Sequence, residues 1–270
     1  VVLFAFTLWV LWGNTAVELN EYTIQSESIP KSFDGYRIVQ ISDFHNAQIG
    51  KDNEKLISLI EKAEPDIIAI TGDIVDWRRT DIELTKEFVL QIMKIAPCYY
   101  VSGNNESYIT EKYDVKNILA DMGVTVLEDE TQHLEIEGEK ILLAGVDDPA
   151  FSDNYSSADS VPIMQTKLEE LMSDDIYTVL LSHRPELFGV YCEYEADLVL
   201  SGHAHGGQFR IPFIGGLYAP DQGFFPEYDA GLYTDGKTNM LVSRGIGNSK
   251  IPIRFNNRPE VIVIELEVDK

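Results

Sequence analysis

Asp197–Gln208 reads DLVLSGHAHGGQ. Asp197–Leu200 is a short apolar run of the kind that forms a buried strand. Gly202-His203-Ala204-His205 follows it at once. Two histidines spaced i, i+2 share one face of an extended backbone, and a glycine there lets the chain turn sharply as it leaves the strand. The same arrangement occurs four more times. Tyr36–Ile41 (YRIVQI) precedes Asp43-Phe44-His45, and Asp66–Thr71 (DIIAIT) precedes Gly72-Asp73. Cys98–Val101 precedes Gly103-Asn104-Asn105-Glu106, and Tyr177–Leu181 (YTVLL) precedes Ser182-His183. Ligands of open α/β sheets gather beyond the carboxyl ends of strands, so five polar clusters at five strand ends predict one shared site.

Between these strands the apolar spacing turns helical over Asn53–Ala63, Ile82–Ile95, Val115–Met122 and the region Ile163–Met172. His133–Ile136 and Ile141–Gly145 flank a turn at Gly138 like a hairpin, and Gln208–Ile211, Met240–Ser243 and Val261–Leu266 read as further sheet strands. The result is an α/β chain with many strands and few helices. Two packed sheets with helices on their outer faces accommodate that count, and no composition break marks a second folded domain.

The chain has five histidines, and four of them, His45, His183, His203 and His205, fall in the clusters. With Asp43, Asp73 and Asn104 they make seven candidate ligands. That is too many for one tetrahedral metal and suits two metals sharing a carboxylate. Imidazole with carboxylate favours Mn, Zn or Fe over Ca.

The series Asp43-Phe44-His45, Gly72-Asp73, Gly103-Asn104-Asn105-Glu106, His183 and Gly202-His203-Ala204-His205 resembles the calcineurin-like metallophosphoesterase superfamily over residues 34–267. The ending Gly206-Gly207-Gln208, with Arg210-Ile211-Pro212, Ser243–Gly247, Pro252-Ile253-Arg254 and Arg258-Pro259-Glu260, is similar to the branch anchored to bacterial membranes. The resemblance implies a four-layer αββα sandwich of two mixed β-sheets flanked by helices. It implies that Asp43, His45 and His205 hold one divalent metal ion, that Asn104, His183 and His203 hold the other, and that Asp73 bridges them. It also implies phosphoester hydrolysis, by attack of a hydroxide held between the metals. The bond would be a phosphodiester by default, or a phosphomonoester or pyrophosphate. Some relatives cleave a UDP-linked acylated glucosamine, so an envelope or lipid-linked substrate is expected by resemblance only. One position departs from the family pattern: Asn105 stands where the family has a histidine near the scissile phosphate. An amide donates a hydrogen bond but has no proton to give near neutral pH. The site is then selective for good leaving groups, or draws its acid from another group, or is a weakly catalytic metal-binding module. His133 is the one other histidine, and it reads as a sheet residue rather than a replacement acid.

Arg210, Arg244 and Arg254 are candidate phosphate contacts, as is Asp147 by its place in Asp147-Asp148-Pro149, although surface pairing and a simple turn account for them equally well. Phe209, Phe213, Tyr218, Phe224, Phe225 and Tyr228 crowd a Gly/Pro-rich loop that packs on itself, borders a pocket or touches a membrane.

The whole chain has 270 residues, 21 basic and 45 acidic, for a net charge of −24. That charge disfavours a nucleic-acid partner and requires cations near any phosphate substrate. Val1–Trp12 carries no charge. It is read as the remnant of an N-terminal membrane anchor or signal segment over residues 1–14, with a connecting segment over 15–33 and the catalytic domain over 34–270. Glu18–Glu27 has acids and no Lys or Arg, which places the catalytic domain on the extracytoplasmic side of the cell membrane. Cys98 and Cys192 read as two thiols rather than a disulfide framework.

Overall fold

Successive residues of a strand face opposite sides of its sheet, and the central strands of this chain are buried on both sides. The computed structural model describes residues 2–110, 112–172, 176–248 and 251–269. Along the chain run α1 (Val2–Thr15), β1 (Glu18–Ser26), β2 (Arg37–Ile41), α2 (Glu54–Lys62), β3 (Ile67–Thr71), α3 (Ile82–Ile92), β4 (Cys98–Val101) and α4 (Asn104–Ser107). Then come α5 (Val115–Met122), β5 (Thr125–Val126), β6 (Glu130–Ile136), β7 (Glu139–Gly145), α6 (Ser160–Leu171), β8 (Thr178–Leu181), α7 (Phe188–Glu193) and β9 (Leu198–Ser201). Two small ribbons follow: β10 (Arg210–Ile211) with β11 (Gly215–Gly216), and β12 (Tyr218–Ala219) with β13 (Gly223–Phe224). The chain ends in β14 (Gly231–Asp235), β15 (Thr238–Val242) and β16 (Glu260–Val268).

Two six-stranded sheets result, ordered β1-β16-β2-β3-β4-β5 and β14-β15-β9-β8-β7-β6. Both are mixed: β16 runs antiparallel to β2, and β14–β15 and β6–β7 are antiparallel, while the remaining pairs are parallel. Period-two alternation sorts the side chains into three apolar layers. On β2 and β3, Ile38, Ile67 and Ala69 meet Leu143, Val179 and Leu200 between the sheets. Their neighbours Val39, Ile41, Ile68 and Ile70 pack on Leu56, Ile60, Phe88 and Leu119 of α2, α3 and α5. On the far side, Leu180, Val199 and Met240 pack on Met164, Leu168 and Tyr191 of α6 and α7. The order is therefore helix, sheet, sheet, helix, the four-layer sandwich expected from the sequence.

Two expectations change. Residues 15–33 are more than a connection, because β1 pairs in parallel with β16 over nine positions and buries Ile24. Its partner lies more than 240 residues away, so local pattern alone does not reveal it. Gln208–Ile211 is not a strand of a large sheet; only Arg210–Ile211 is extended, in a ribbon with Gly215–Gly216. At the N-terminus, α1 spans about 21 Å, and no helix among the described residues is long and apolar enough to cross a membrane. It rests on the 254–258 segment: Asn14 exchanges hydrogen bonds with the Arg254 backbone, and Trp9 meets Phe255 edge-on.

Candidate metal centre

The carboxyl ends of β2, β3 and β4 in one sheet and of β8 and β9 in the other meet at one place. Each strand there gives way to a turn that carries donors. Asp43, His45, Asp73, His203 and His205 all have left-handed backbones, with φ between 47° and 64°. Such conformations cost roughly 1–3 kcal/mol each in non-glycine residues and collect at functional sites. Glycine makes room for the convergence: a Cβ on Gly202 would collide with Ser42 Oγ and Asp43, and one on Gly103 with Asp73.

One group of donors comprises Asp43, His45, Asp73 and His205, and a second comprises Asp73, His183 and His203. Asp73 belongs to both. Its Oδ2 is 3.4 Å from His45 Nε2 and 3.5 Å from His183 Nε2. His45 Nε2 and His205 Nε2 are 3.1 Å apart, and Asp43 Oδ1 is 3.3 Å from the latter. All six side chains are buried. The carbonyl of Thr71 lies 2.8 Å from His183 Nδ1. It can only accept a hydrogen bond, so Nδ1 carries the proton and Nε2 faces the cluster. The Asp221 carboxylate stands 3.1 Å from His203 Nε2, which turns His203 Nδ1 inward. These two inward nitrogens are 3.2 Å apart. Two facing lone pairs at that distance require a proton or a metal between them.

The electrostatics point the same way. Burial alone would raise Asp43 and Asp73, but His205 and His183 beside the first, and His183 and His45 beside the second, hold both below the usual carboxylate range. Burial disfavours a charged His183, yet Asp73 and Asp43 outweigh it and push the ring up to about 10. His205 is pushed down to about 3, first by burial. Burial keeps His205 neutral, while Asp73 and Asp43 draw positive charge to His183, a charge that a divalent ion would supply in its place. Asn104 Oδ1 and His45 Nδ1 are buried without a hydrogen-bond partner. An orphaned amide oxygen beside this donor set fits a cation ligand, so the residues present suit divalent metal ions.

Asn105 Nδ2 donates to Asp73 Oδ2 at 2.6 Å, and its backbone N–H donates to Asp73 Oδ1 at 2.8 Å. Glu106 clamps the turn from behind, accepting from the backbone N–H groups of Asp73, Val75 and Gly103. Burial, reinforced by Asp73, raises Glu106 to about 8.

Three other candidates, Arg210, Arg244 and Asp147, lie apart, with no hydrogen bond or ion pair to the seven donors among the described contacts. Arg210 is held by Asp229 and the Gly206 carbonyl, and Arg244 by Glu18 and Glu260. Asp147 is taken by Ser102 and Lys116. Arg254 does reach the site: it is fully buried, with Nη2 3.5 Å from His205 Nδ1. His133 is exposed on β6, opposite Leu142. Cys98 and Cys192 are free, and burial pushes the Cys98 thiol up to about 12.

Two residues next to the donors escape a reading of the sequence. Arg184 is buried and grips Asp148 with Nε at 2.6 Å and Nη2 at 2.9 Å, while its Nη1 pairs with Asp221. Asp221 thus joins Arg184 to His203 from the tip of the β12–β13 ribbon. Arg184 directly follows a motif histidine, which is a usable signal. Asp221 follows nothing but a proline in a loop. Glu186, His203 and Asp221 also lie within reach of one another, but Arg184 supplies the positive charge there.

Comparison with known proteins agrees with this geometry. The family model for calcineurin-like phosphoesterase matches residues 36–207. The chain is 34% identical to the uncharacterized metallophosphoesterase YkuE of Bacillus subtilis, over 93% of this chain and 86% of that one. It is 28% identical to an uncharacterized metallophosphoesterase of Aquifex aeolicus, over 93% and 92%. A transmembrane protein with metallophosphoesterase domain from Danio rerio is 27% identical over 90% of this chain and 56% of its own. Among solved structures, the sulfate thiohydrolase SoxB of Thermus thermophilus superposes with a TM-score of 0.50 at 13% identity, over 81% of this chain and 53% of that one, and so shares the fold. The chain belongs to the calcineurin-like phosphoesterase family of metal-dependent phosphoesterases.

Proposed function

We propose that the chain hydrolyses a phosphodiester or pyrophosphate bond at a two-metal site, in a substrate carried by the membrane or cell envelope. The observation that carries this reading is Asp73, one carboxylate shared by two groups of buried donors. Asp43, His45 and His205 would hold one divalent ion, Asn104, His183 and His203 the other, and Asp73 both. Bound metals lower the pKa of a coordinated water and offset phosphoryl charge, which a chain of net charge −24 needs. The chain's own residues prepare the site. Thr71 and Asp221 fix the tautomers of His183 and His203, and Ser42 Oγ donates to Asp43 Oδ2 at 2.7 Å. The Asn105 amide, which donates to Asp73 Oδ2, brings no acid to the scissile group. Leaving groups that depart without protonation are therefore favoured, which points to pyrophosphate and activated esters.

The uncharged α1, with Trp9 and Trp12 toward its polar end, supports attachment to the cell membrane, and Glu18–Glu27, with acids and no Lys or Arg, supports a domain outside the cytoplasm. A second reading, a metal-binding protein with weak catalysis, draws on the Asn105 amide, which is spent on Asp73 Oδ2.

The test is hydrolysis of bis(p-nitrophenyl) phosphate by metal-stripped protein reloaded with Mn²⁺, beside Asp73→Asn. Turnover in the wild type should be lost in the variant, by far more than the ~10–100-fold of a change outside the ligand shell. Two bound Mn²⁺ without turnover would favour the second reading.

A further inference from the structure

The loop that follows the His203/His205 turn has a surface that its length does not explain. Phe213 is fully exposed at the tip of the β10–β11 ribbon, beside Ile214. Phe224 and Phe225 are 72% and 60% exposed at the end of the β12–β13 ribbon. Soluble surfaces scatter such side chains singly, and a cluster of them marks a contact with something apolar. The two ribbons are rigidly mounted. Leu217 N–H donates to the Gly207 and Phe209 carbonyls, and Phe225 N–H donates to the Leu217 carbonyl. Gln208 Nε2 binds the carbonyls of Ile251 and Ile253, which add two more exposed apolar side chains.

The patch continues into α1. Arg210 N–H donates to the Phe255 carbonyl, Phe255 meets Trp9, and Asn14 binds the Arg254 backbone. Leu11 and Trp12 of that helix are exposed as well. Val2–Thr15 has no charged residue on any face. A helix apolar all round is buried, in a protein core or in lipid. The described residues leave Phe4, Leu11 and Trp12 of this one exposed, which points to lipid. The same solvent would cover Phe213 and Phe224.

We propose that the β10–β11 and β12–β13 ribbons are a second membrane contact, in which Phe213 at the tip of the first and Phe224 and Phe225 at the open end of the second enter the bilayer interface beside α1. Aromatic rings favour that interface. The ribbons grow from the turn that bears His203 and His205, so their insertion brings the mouth of the donor cluster to the lipid surface. A phosphoryl group held at headgroup depth is the substrate class that this placement serves. The inference rests on the membrane attachment of α1 proposed above.

The test uses the full chain in a Cys192→Ser background, with Cys98 buried. Single Phe213→Cys, Phe224→Cys, Leu11→Cys and His133→Cys variants carry an environment-sensitive fluorophore and are mixed with phosphatidylcholine vesicles containing brominated lipid. The Phe213 and Phe224 positions should shift to the blue and be quenched, and the His133 position, on the opposite edge strand, should not. Phe213→Ser with Phe224→Ser should weaken vesicle binding roughly tenfold. Quenching at Leu11 alone overturns the inference and leaves the attachment of α1 standing. Quenching nowhere overturns both. A blue shift before vesicles are added means that another copy of the chain covers the patch, which overturns the inference too.

Discussion

Asp43, Asp73, His183, His203 and their companions are polar and buried, while Phe213, Ile214, Phe224 and Phe225 are apolar and stand in solvent. The two regions are neighbours, and both invert the usual sorting of residues between core and surface. A buried ionic cluster is costly unless charge is paired, and an exposed aromatic patch is costly in water. Each is therefore a half-interaction. The donor cluster suits cations, and the ribbons are proposed above to meet an apolar surface. Asp221 is where the two regions touch, because it sits on a ribbon tip and binds His203.

The largest expected effect lies in the cluster, at Asn105. General acid catalysis is typically worth ~10²–10⁴-fold, so Asn105→His should raise kcat/KM by that order for esters with poor leaving groups. It should leave bis(p-nitrophenyl) phosphate little changed. Steady-state rates on both kinds of substrate check this, and equal gains on both would show that Asn105 affects metal loading instead.

A smaller effect is expected where the regions meet. Outer partners of metal-binding histidines typically contribute 10–100-fold in affinity. Asp221→Ala should weaken one of the two Mn²⁺ ions by about that factor in a calorimetric titration, while Asp221→Asn, which keeps an acceptor for His203 Nε2–H, should recover most of it. Unchanged affinity in both variants would separate the ribbons from the donor cluster altogether.

The smallest effect concerns stability rather than chemistry. Burial works to raise Asp148, but Arg184 outweighs it and holds the carboxyl below the usual range. A depressed carboxylate stabilises the fold fully above its unfolded value of about 3.9, and that contribution is lost as pH falls through the lower folded value. Asp148→Asn should cost about 3–5 kcal/mol at neutral pH and flatten the acid limb of the stability curve. Urea unfolding on either side of pH ~4 measures both. An acid limb as steep as the wild type's would assign acid sensitivity to other carboxylates.

The two-sheet architecture and the strand-end placement of the donor clusters were legible because each cluster directly follows an apolar strand. A strand end can be recognised from a dozen residues, and the glycines at 72, 103 and 202 mark it. The residue after His183 carried a signal in its place beside a motif histidine, but that place did not give its role. Pairings across long sequence separation were not. β1 finds β16 through nine residue pairs that no local pattern encodes, and Asp221 reaches Arg184 and His203 only because a short ribbon folds back over the turn at 205–209. The aromatic loop was visible as composition. Whether its rings packed inward or stood outward was decided by tertiary packing that composition does not encode, and Phe213, Phe224 and Phe225 ended exposed.

By itself, then, the sequence determined which chemistry is present: strand-end carboxylates and imidazoles in an acidic chain, with an amide where the family has a histidine. Periodicity and short motifs are local and survive without coordinates. Only the tertiary structure decided that Asp73 is shared by both donor groups, that Arg210 and Arg244 are engaged by carboxylates, and that Phe213 and Phe224 face outward. Those outcomes depend on distances between residues far apart in the chain, which are set by how the two sheets pack.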